Sequence, residues 1–166
     1  MEIDEIIEKV ASYSCNLVEI TGGEPLIQHE TTDLIKKLLD SDFKVLLETN
    51  GSQDINGIDK NCVRIVDIKC PSSGEHEKND FENLRRLTER DEMKFVIGNR
   101  NDYDYAKEIL LHGNPDLAVN IKVHFSPVYG KMHPEELARW ILDDHLDVRL
   151  HMQLHKQIWN PEQRGV

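Results

Sequence analysis

Cysteine is scarce in this chain, with only Cys15, Cys62 and Cys70 among 166 residues. So sparse and odd a set excludes a disulfide framework. Its spacing matches no zinc or iron–sulfur motif, so each thiol reads as a small buried hydrophobe. Long apolar runs are missing too. Stretches such as Val45-Leu46-Leu47 fall far short of the ~18 residues that a membrane helix needs, so no membrane partner is expected. The opening Met1-Glu2-Ile3-Asp4-Glu5 is acidic and lacks the basic segment that begins a signal peptide, which makes a cytoplasmic location the default expectation. Basic residues are outnumbered, 20 Lys and Arg against 31 Asp and Glu, for a net charge of −11. Such a surface repels phosphate backbones, so no direct nucleic-acid partner is expected. The pair Arg85-Arg86 reads as a solvated helix face. There is no internal repeat and no low-complexity tract. The length suits one domain over residues 1–166.

What is present is led by Val18-Glu19-Ile20-Thr21-Gly22-Gly23-Glu24-Pro25. An apolar strand runs into two glycines, a carboxylate and a proline. Adjacent glycines let backbone approach a ligand because no Cβ intervenes. Pro25 fixes the exit of the turn and biases Glu24 towards an extended conformation. Strand ends of this kind are where α/β proteins bind small molecules. Gly-Gly also occurs in tight turns for packing alone.

Hydrophobic periodicity alternates along the chain. Helices are predicted over residues 4–12, with Ile3, Ile6, Ile7 and Val10 on one stripe, and over 32–39, with Thr31 or Thr32 as N-cap. Further helices are predicted over 80–87, over 102–111 (ended by Gly113-Asn114-Pro115) and over 134–142, with Pro134 in the first turn. Strands are predicted over 17–20, 44–48, 63–69, 93–97, 119–125 and 148–154. The Gly/Asn-rich stretch 50–61 is expected to cross over without a full helix, and 72–80 to be a polar surface loop. About six strands with helices between most of them predict an α/β fold with a mainly parallel sheet and right-handed crossovers. Polar, Gly- or Pro-bearing segments follow four of the strands: Thr21–Glu24, Glu48–Gly51, Lys69–Ser73 and Ser126–Tyr129. Converging strand C-termini are the functional face of barrel-like α/β folds. Arg149, His151, Gln153 and His155 alternate with Leu150, Met152 and Leu154. In a strand this makes one polar row, facing either a barrel interior or solvent. His151 and His155 lie four apart, which is not a metal-binding pair in a strand.

These residues together resemble the radical S-adenosylmethionine (SAM) superfamily, and within it the 7-carboxy-7-deazaguanine synthase family of queuosine biosynthesis. The resemblance covers nearly the whole chain. It rests on Glu19 through Leu26, Glu48-Thr49-Asn50-Gly51, Asp67 through Gly74, Lys94-Phe95-Val96-Ile97, Phe125-Ser126-Pro127-Val128, Gln153-Leu154-His155-Lys156 and the ending from Trp159 to Arg164-Gly165-Val166. Gly-Gly-Glu-Pro is superfamily-wide, whereas the proline-serine loop and the chain end are particular to the family.

The resemblance implies a partial, open TIM-like barrel. It implies SAM contacts at Gly22, Gly23, Glu24, Glu48, Lys69, Cys70, Pro71, Ser72, Ser126, Pro127, Val128 and Tyr129. Within that set, Glu24 either pairs with the SAM ammonium or fixes its turn through local N–H groups. Glu48 either meets the ribose diol or forms a salt bridge. Cys70 either faces the site or packs, and Tyr129 either lies by the adenine or is an exposed aromatic. Thr21, Gln153, His155 and the terminal carboxylate of Val166 are implied at the pterin substrate. The implied reaction is the conversion of 6-carboxy-5,6,7,8-tetrahydropterin to 7-carboxy-7-deazaguanine with loss of ammonia, a carbon–nitrogen lyase step. It uses SAM, a 4Fe–4S cluster, Mg²⁺ and an electron donor such as flavodoxin, and a homodimer is expected.

Family members hold the cluster on a Cys-x-x-x-Cys-x-x-Cys loop, and this sequence contains no such triplet. The family's first strand, cluster loop and magnesium-binding threonine would lie upstream of Met1. The chain is therefore expected to be incomplete at its N-terminus and inactive alone. A glycyl-radical-activating enzyme and a cluster-free SAM-binding module are the alternative readings.

Overall fold

The computed structural model describes residues 2–112 and 121–163. Within them, β1 (Leu17–Ile20), β2 (Lys44–Thr49), β3 (Val63–Ile68), β4 (Glu92–Ile97), β5 (Lys122–Pro127) and β6 (Arg149–Leu150) form one sheet in the order β1-β2-β3-β4-β5-β6. Every neighbouring pair is parallel. A parallel sheet wound steadily in one direction keeps its crossovers on one face. The α-helices are α1 (Ile3–Ala11), α2 (Thr31–Asp40), α3 (Glu82–Arg86), α4 (Arg100–His112), α5 (Pro134–Asp143) and α6 (His155–Ile158). The sheet does not close, so the fold is an open α/β arrangement of the barrel kind.

Strand alternation explains where the core sits. Val45 and Leu47, Val66 and Ile68, Met93, Phe95 and Ile97, and Val123 and Phe125 are buried against Ile35 and Leu38 of α2, Tyr103 and Ala106 of α4, and Leu137 and Ile141 of α5. Phe95, Phe125, Tyr103 and Trp140 stack edge-to-face in a chain, with centroids 5.6, 5.8 and 5.3 Å apart. Each such side chain contributes about 1.5–3 kcal/mol of burial. The intervening residues Glu19, Leu46, Glu48, Ile65, Asp67, Glu92, Lys94 and His124 share the other face by register. Parallel strands normally read as continuous apolar runs because both faces are covered. Here that second face is mostly polar, with Leu46 and Ile65 as its apolar members.

The expected alternation is borne out, and residues 50–61 contain no helix. Several expectations need correction. The last strand is not 148–154: pairing covers Arg149–Leu150, extended only by the His151 N–H donating to the Phe125 carbonyl at 2.9 Å, and His155 opens α6. Arg149, His151, Gln153 and His155 are therefore not one strand row. The N-cap of α2 is Glu30, because the Thr31 hydroxyl donates instead to the Pro25 carbonyl at 2.6 Å. The α3 helix starts at Glu82, since the Asp80 carboxylate bonds the Glu82 N–H as a turn. Segment 72–80 is the exposed loop expected, carrying short 3-10 turns at Pro71–Ser73 and His76–Lys78. The fifth strand starts at Lys122 and runs through Pro127; its expected start at 119–120, like Gly113-Asn114-Pro115, lies outside the described residues. The stripe on α1 is amphipathic, but α1 buries none of its residues.

Candidate functional site

Because the strands are parallel, the segments following them emerge at one rim. After β1, Gly22 and Gly23 adopt φ of 98° and 60°, and no atom lies within 4 Å of where a Cβ would project. L-side chains avoid this conformation, so glycine leaves the backbone of the turn open to an approaching ligand. Glu24 is 8% exposed. Its carboxylate accepts from the Leu26 N–H at 3.0 Å, the Thr49 hydroxyl at 2.8 Å and the Asn50 N–H at 2.7 Å. Of the two readings of Glu24, the geometry supports the turn-fixing one: it staples the β1 rim to the β2 rim.

After β3, Lys69 pairs with Asp67 at 2.6 Å, and its backbone exchanges bonds with the Asn79 amide. Cys70 is buried in the core, where desolvation drives its thiol pKa far up. Of its two readings, packing is the one observed. Pro71 opens the 3-10 turn. The Ser72 N–H and hydroxyl both donate to Asp102, which also accepts from the Gly98 N–H at 2.8 Å. Asp102, fully buried at the start of α4, thus ties the β3 rim to the β4 rim. Ser126 ends fully buried with its hydroxyl unpartnered among the described residues. Beyond Pro127, the Val128 N–H donates to the Ile97 carbonyl at 2.8 Å. Tyr129 is exposed, with the Lys156 ammonium 5.8 Å from its ring centre. Pro127, Tyr129, Met132, Met152 and Gln153 line a small cavity of about 170 Å³.

A larger cavity of about 700 Å³ opens on the polar sheet face, lined by Glu19, Thr21, Glu48, Lys94, His151, Met152, Gln153, Leu154, His155 and Gln163. Thr21, Glu48, Gln153 and His155 come from three separated parts of the chain and meet here, and Gln153 reaches both cavities. Lys94 bonds Glu48 at 2.7 Å. His124 bonds Glu92 at 2.9 Å, with its ring 5.4 Å from that of His151. Burial, and then the neighbouring Glu48, raise the Glu19 pKa above its ordinary value. Burial, and then the charges of Lys94 and His124, lower that of His151. Val166 lies outside the described residues.

Sequence reasoning gave no role to Glu19, Lys94 or Asp102, and placed His151 only in a polar row facing either a barrel interior or solvent. The first two carried a signal in their strands. A single polar residue between buried neighbours, as Lys94 between Met93 and Phe95, marks one open face of a parallel strand.

The cysteines do not fit an iron–sulfur cluster. Cys15 is exposed before β1, while Cys62 and Cys70 are buried at opposite ends of β3. Desolvation pushes the Cys62 thiol up to about 12, against the thiolate a metal needs. Among the described residues, no group of three or more His, Cys, Asp or Glu is placed to hold a metal, and no helix is long and apolar enough to cross a membrane.

No family model matches the chain. The 7-carboxy-7-deazaguanine synthase of Koribacter versatilis is 43% identical over 180 residues, covering 100% of this chain and 79% of that protein. This chain belongs to the 7-carboxy-7-deazaguanine synthase family. The synthase of Chlorobaculum tepidum is 42% identical, covering 100% of this chain and 76% of its own length, and that of Clostridium acetobutylicum is 35% identical, covering 98% and 75%. The crystal structure of QueE from Escherichia coli shares the fold with a TM-score of 0.65 at 20% identity. The match spans 92% of this chain and 64% of that one. Streptococcus suis SuiB, crystallised with its precursor peptide SuiA, matches the fold at a TM-score of 0.59 and 12% identity, covering 90% of this chain and 42% of its own.

Proposed function

We propose that this chain carries the SAM- and pterin-binding rim of a radical SAM lyase that converts 6-carboxy-5,6,7,8-tetrahydropterin to 7-carboxy-7-deazaguanine with loss of ammonia. The observation that carries this reading is the meeting of Thr21, Glu48, Gln153 and His155 around one cavity, in a chain whose relatives bear that synthase's name. The Thr21 hydroxyl and the Gln153 amide offer both donors and acceptors to a pterin edge. His155 adds an imidazole.

The residues present fit SAM. The open left-handed turn at Gly22 and Gly23 admits its amino-acid end against backbone. Glu24 acts there by holding the turn. Pro127 and Tyr129 flank an apolar slot suited to adenine. Glu48 accepts a ribose hydroxyl while remaining paired to Lys94, and Lys69, Pro71 and Ser72 follow on the neighbouring β3 rim. SAM, when bound, supplies the group that takes a hydrogen from the substrate. The protein's part is to orient both ligands and exclude water.

The cysteines do not fit the cluster, so the 166-residue chain is proposed to be inactive alone. Reconstitution with iron and sulfide tests this: no stable 4Fe–4S absorption and no turnover are expected, and a stable spectrum with turnover overturns it. Magnesium is assigned to no residue here. A flavodoxin-type donor, a homodimer and a cytoplasmic setting belong to the same proposal. The rim itself is tested by calorimetric titration with SAM and with 6-carboxypterin. Thr21→Val is expected to weaken the pterin and leave SAM nearly unchanged, and equal effects on both ligands overturn the assignment. The dispersed cysteines also favour a second reading, a cluster-free SAM-binding module. Genomic sequence upstream of Met1 separates the two: an in-frame cysteine triplet supports the synthase, and a stop codon directly upstream supports the module.

A further inference from the structure

A second cavity, of about 220 Å³, adjoins the larger one on the same sheet face. Glu19, Glu48, Lys94 and His151 line both. Glu19 and Glu48 bring two carboxyls to this face, and Glu48 is bonded to Lys94. His151 differs. Its backbone is pinned by the Phe125 carbonyl and its ring touches His124, yet neither ring nitrogen has a hydrogen-bond partner among the described residues. It thus presents an uncommitted donor and acceptor to the cavity.

The charges of the cavity are asymmetric. Carboxyls from β1 and β2 form one wall, and His151 with His155 forms the wall after β6. Lys94 between them is neutralised by Glu48. A ligand with a donor-rich aminopyrimidine edge and a carboxylate complements this pattern in one orientation, with the amino edge at Glu19 and the carboxylate at the histidines.

We infer that His151 contacts the carboxylate of the bound pterin and so selects for it over a pterin without one. The inference rests on the proposed function and names a contact within that site. His124, held by Glu92, is the positioning residue that fixes the His151 ring edge-on. Partial desolvation, and then the charges of Lys94 and His124, lower the proton affinity of the free His151 ring, against the opposing pull of Glu48 and Glu92. A carboxylate placed against it adds a negative charge and raises its proton affinity.

The test compares 6-carboxypterin with unsubstituted pterin on the full chain. Wild type is expected to bind 6-carboxypterin more tightly. His151→Leu is expected to lower that affinity about tenfold while leaving unsubstituted pterin unchanged, and His151→Gln, which keeps a donor, to recover part of the preference. The His151 ring signal, followed by NMR, is expected to titrate at higher pH with 6-carboxypterin bound than with pterin bound. Equal losses for both ligands, or a preference that survives in both variants, overturns the inference while leaving the pterin site standing. Failure of both pterins to bind wild type overturns the proposed function and this contact with it.

Discussion

Replacing Glu24 separates a structural carboxylate from a ligand-binding one. Its two oxygens serve three donors, the N–H groups of Leu26 and Asn50 and the hydroxyl of Thr49, at 2.7–3.0 Å, and the side chain is almost wholly buried. Hydrogen bonds to a charged partner contribute about 1.5–3 kcal/mol each, and an orphaned donor costs a comparable amount. Glu24→Gln keeps one oxygen but turns an amide NH₂ towards one of the donors, a cost of about 1.5–3 kcal/mol. Glu24→Ala strands all three, and with water partly replacing the lost partner the cost is about 3–5 kcal/mol, a large share of a domain's stability. Urea denaturation reads this directly. With a slope of about 1–3 kcal/mol/M, Glu24→Gln lowers the midpoint by roughly 1 M at unchanged slope. Thr49→Val is expected to couple with it in a double-mutant cycle, because the two side chains share a bond. A Glu24→Gln variant with an unmoved midpoint and sharply weakened SAM binding refutes the staple and restores the ammonium-pairing role.

Asp102→Ala leaves the Ser72 and Gly98 N–H groups and the Ser72 hydroxyl without their acceptor, and is expected to cost about 2–5 kcal/mol in the same assay. Thiol labelling of the native chain is expected to modify Cys15 alone, with Cys62 and Cys70 reacting only after denaturation; fast labelling of all three contradicts their burial. The Glu19 pKa is raised when folded, so above the ordinary value of about 4.5 the unfolded chain releases that proton while the folded chain holds it. Stability is therefore lost as pH rises from there through the folded value. Glu19→Gln is expected to flatten that decline and raise the melting temperature at neutral pH. His151 has the opposite sign: its folded pKa lies below about 6.5, so stability falls as pH drops from there through the folded value. His151→Leu is expected to remove that acid-side loss.

The element order and the rim were legible in the sequence because they rest on local signals. Strand runs such as Lys44–Thr49 alternate with amphipathic segments, and Gly22-Gly23 marks a turn that needs left-handed backbone. The β6 region was misread because Arg149 to His155 alternates polar and apolar residues whether or not a partner strand lies beside them. Only β5 was available to pair, and it is met by two residues of β6 plus one N–H. The anchors of the rim were illegible for a different reason. Glu24 finds Thr49 across 25 positions and Asp102 finds Ser72 across 30, and no sequence period reports such contacts. Cys70 sits in the polar loop after β3 yet turns inward, a choice made by the packing of β3 rather than by its neighbours in sequence.

The most direct test of the account is an NMR map of amide shifts on adding SAM and then 6-carboxypterin to the full chain. SAM is expected to perturb Gly22, Gly23, Ser72 and Val128, and the pterin to perturb Thr21, His151 and Gln153, with Arg64 and Asp91 at the other end of the sheet unmoved. Perturbations centred on Arg64 and Asp91, or spread evenly over both ends, contradict a single binding rim.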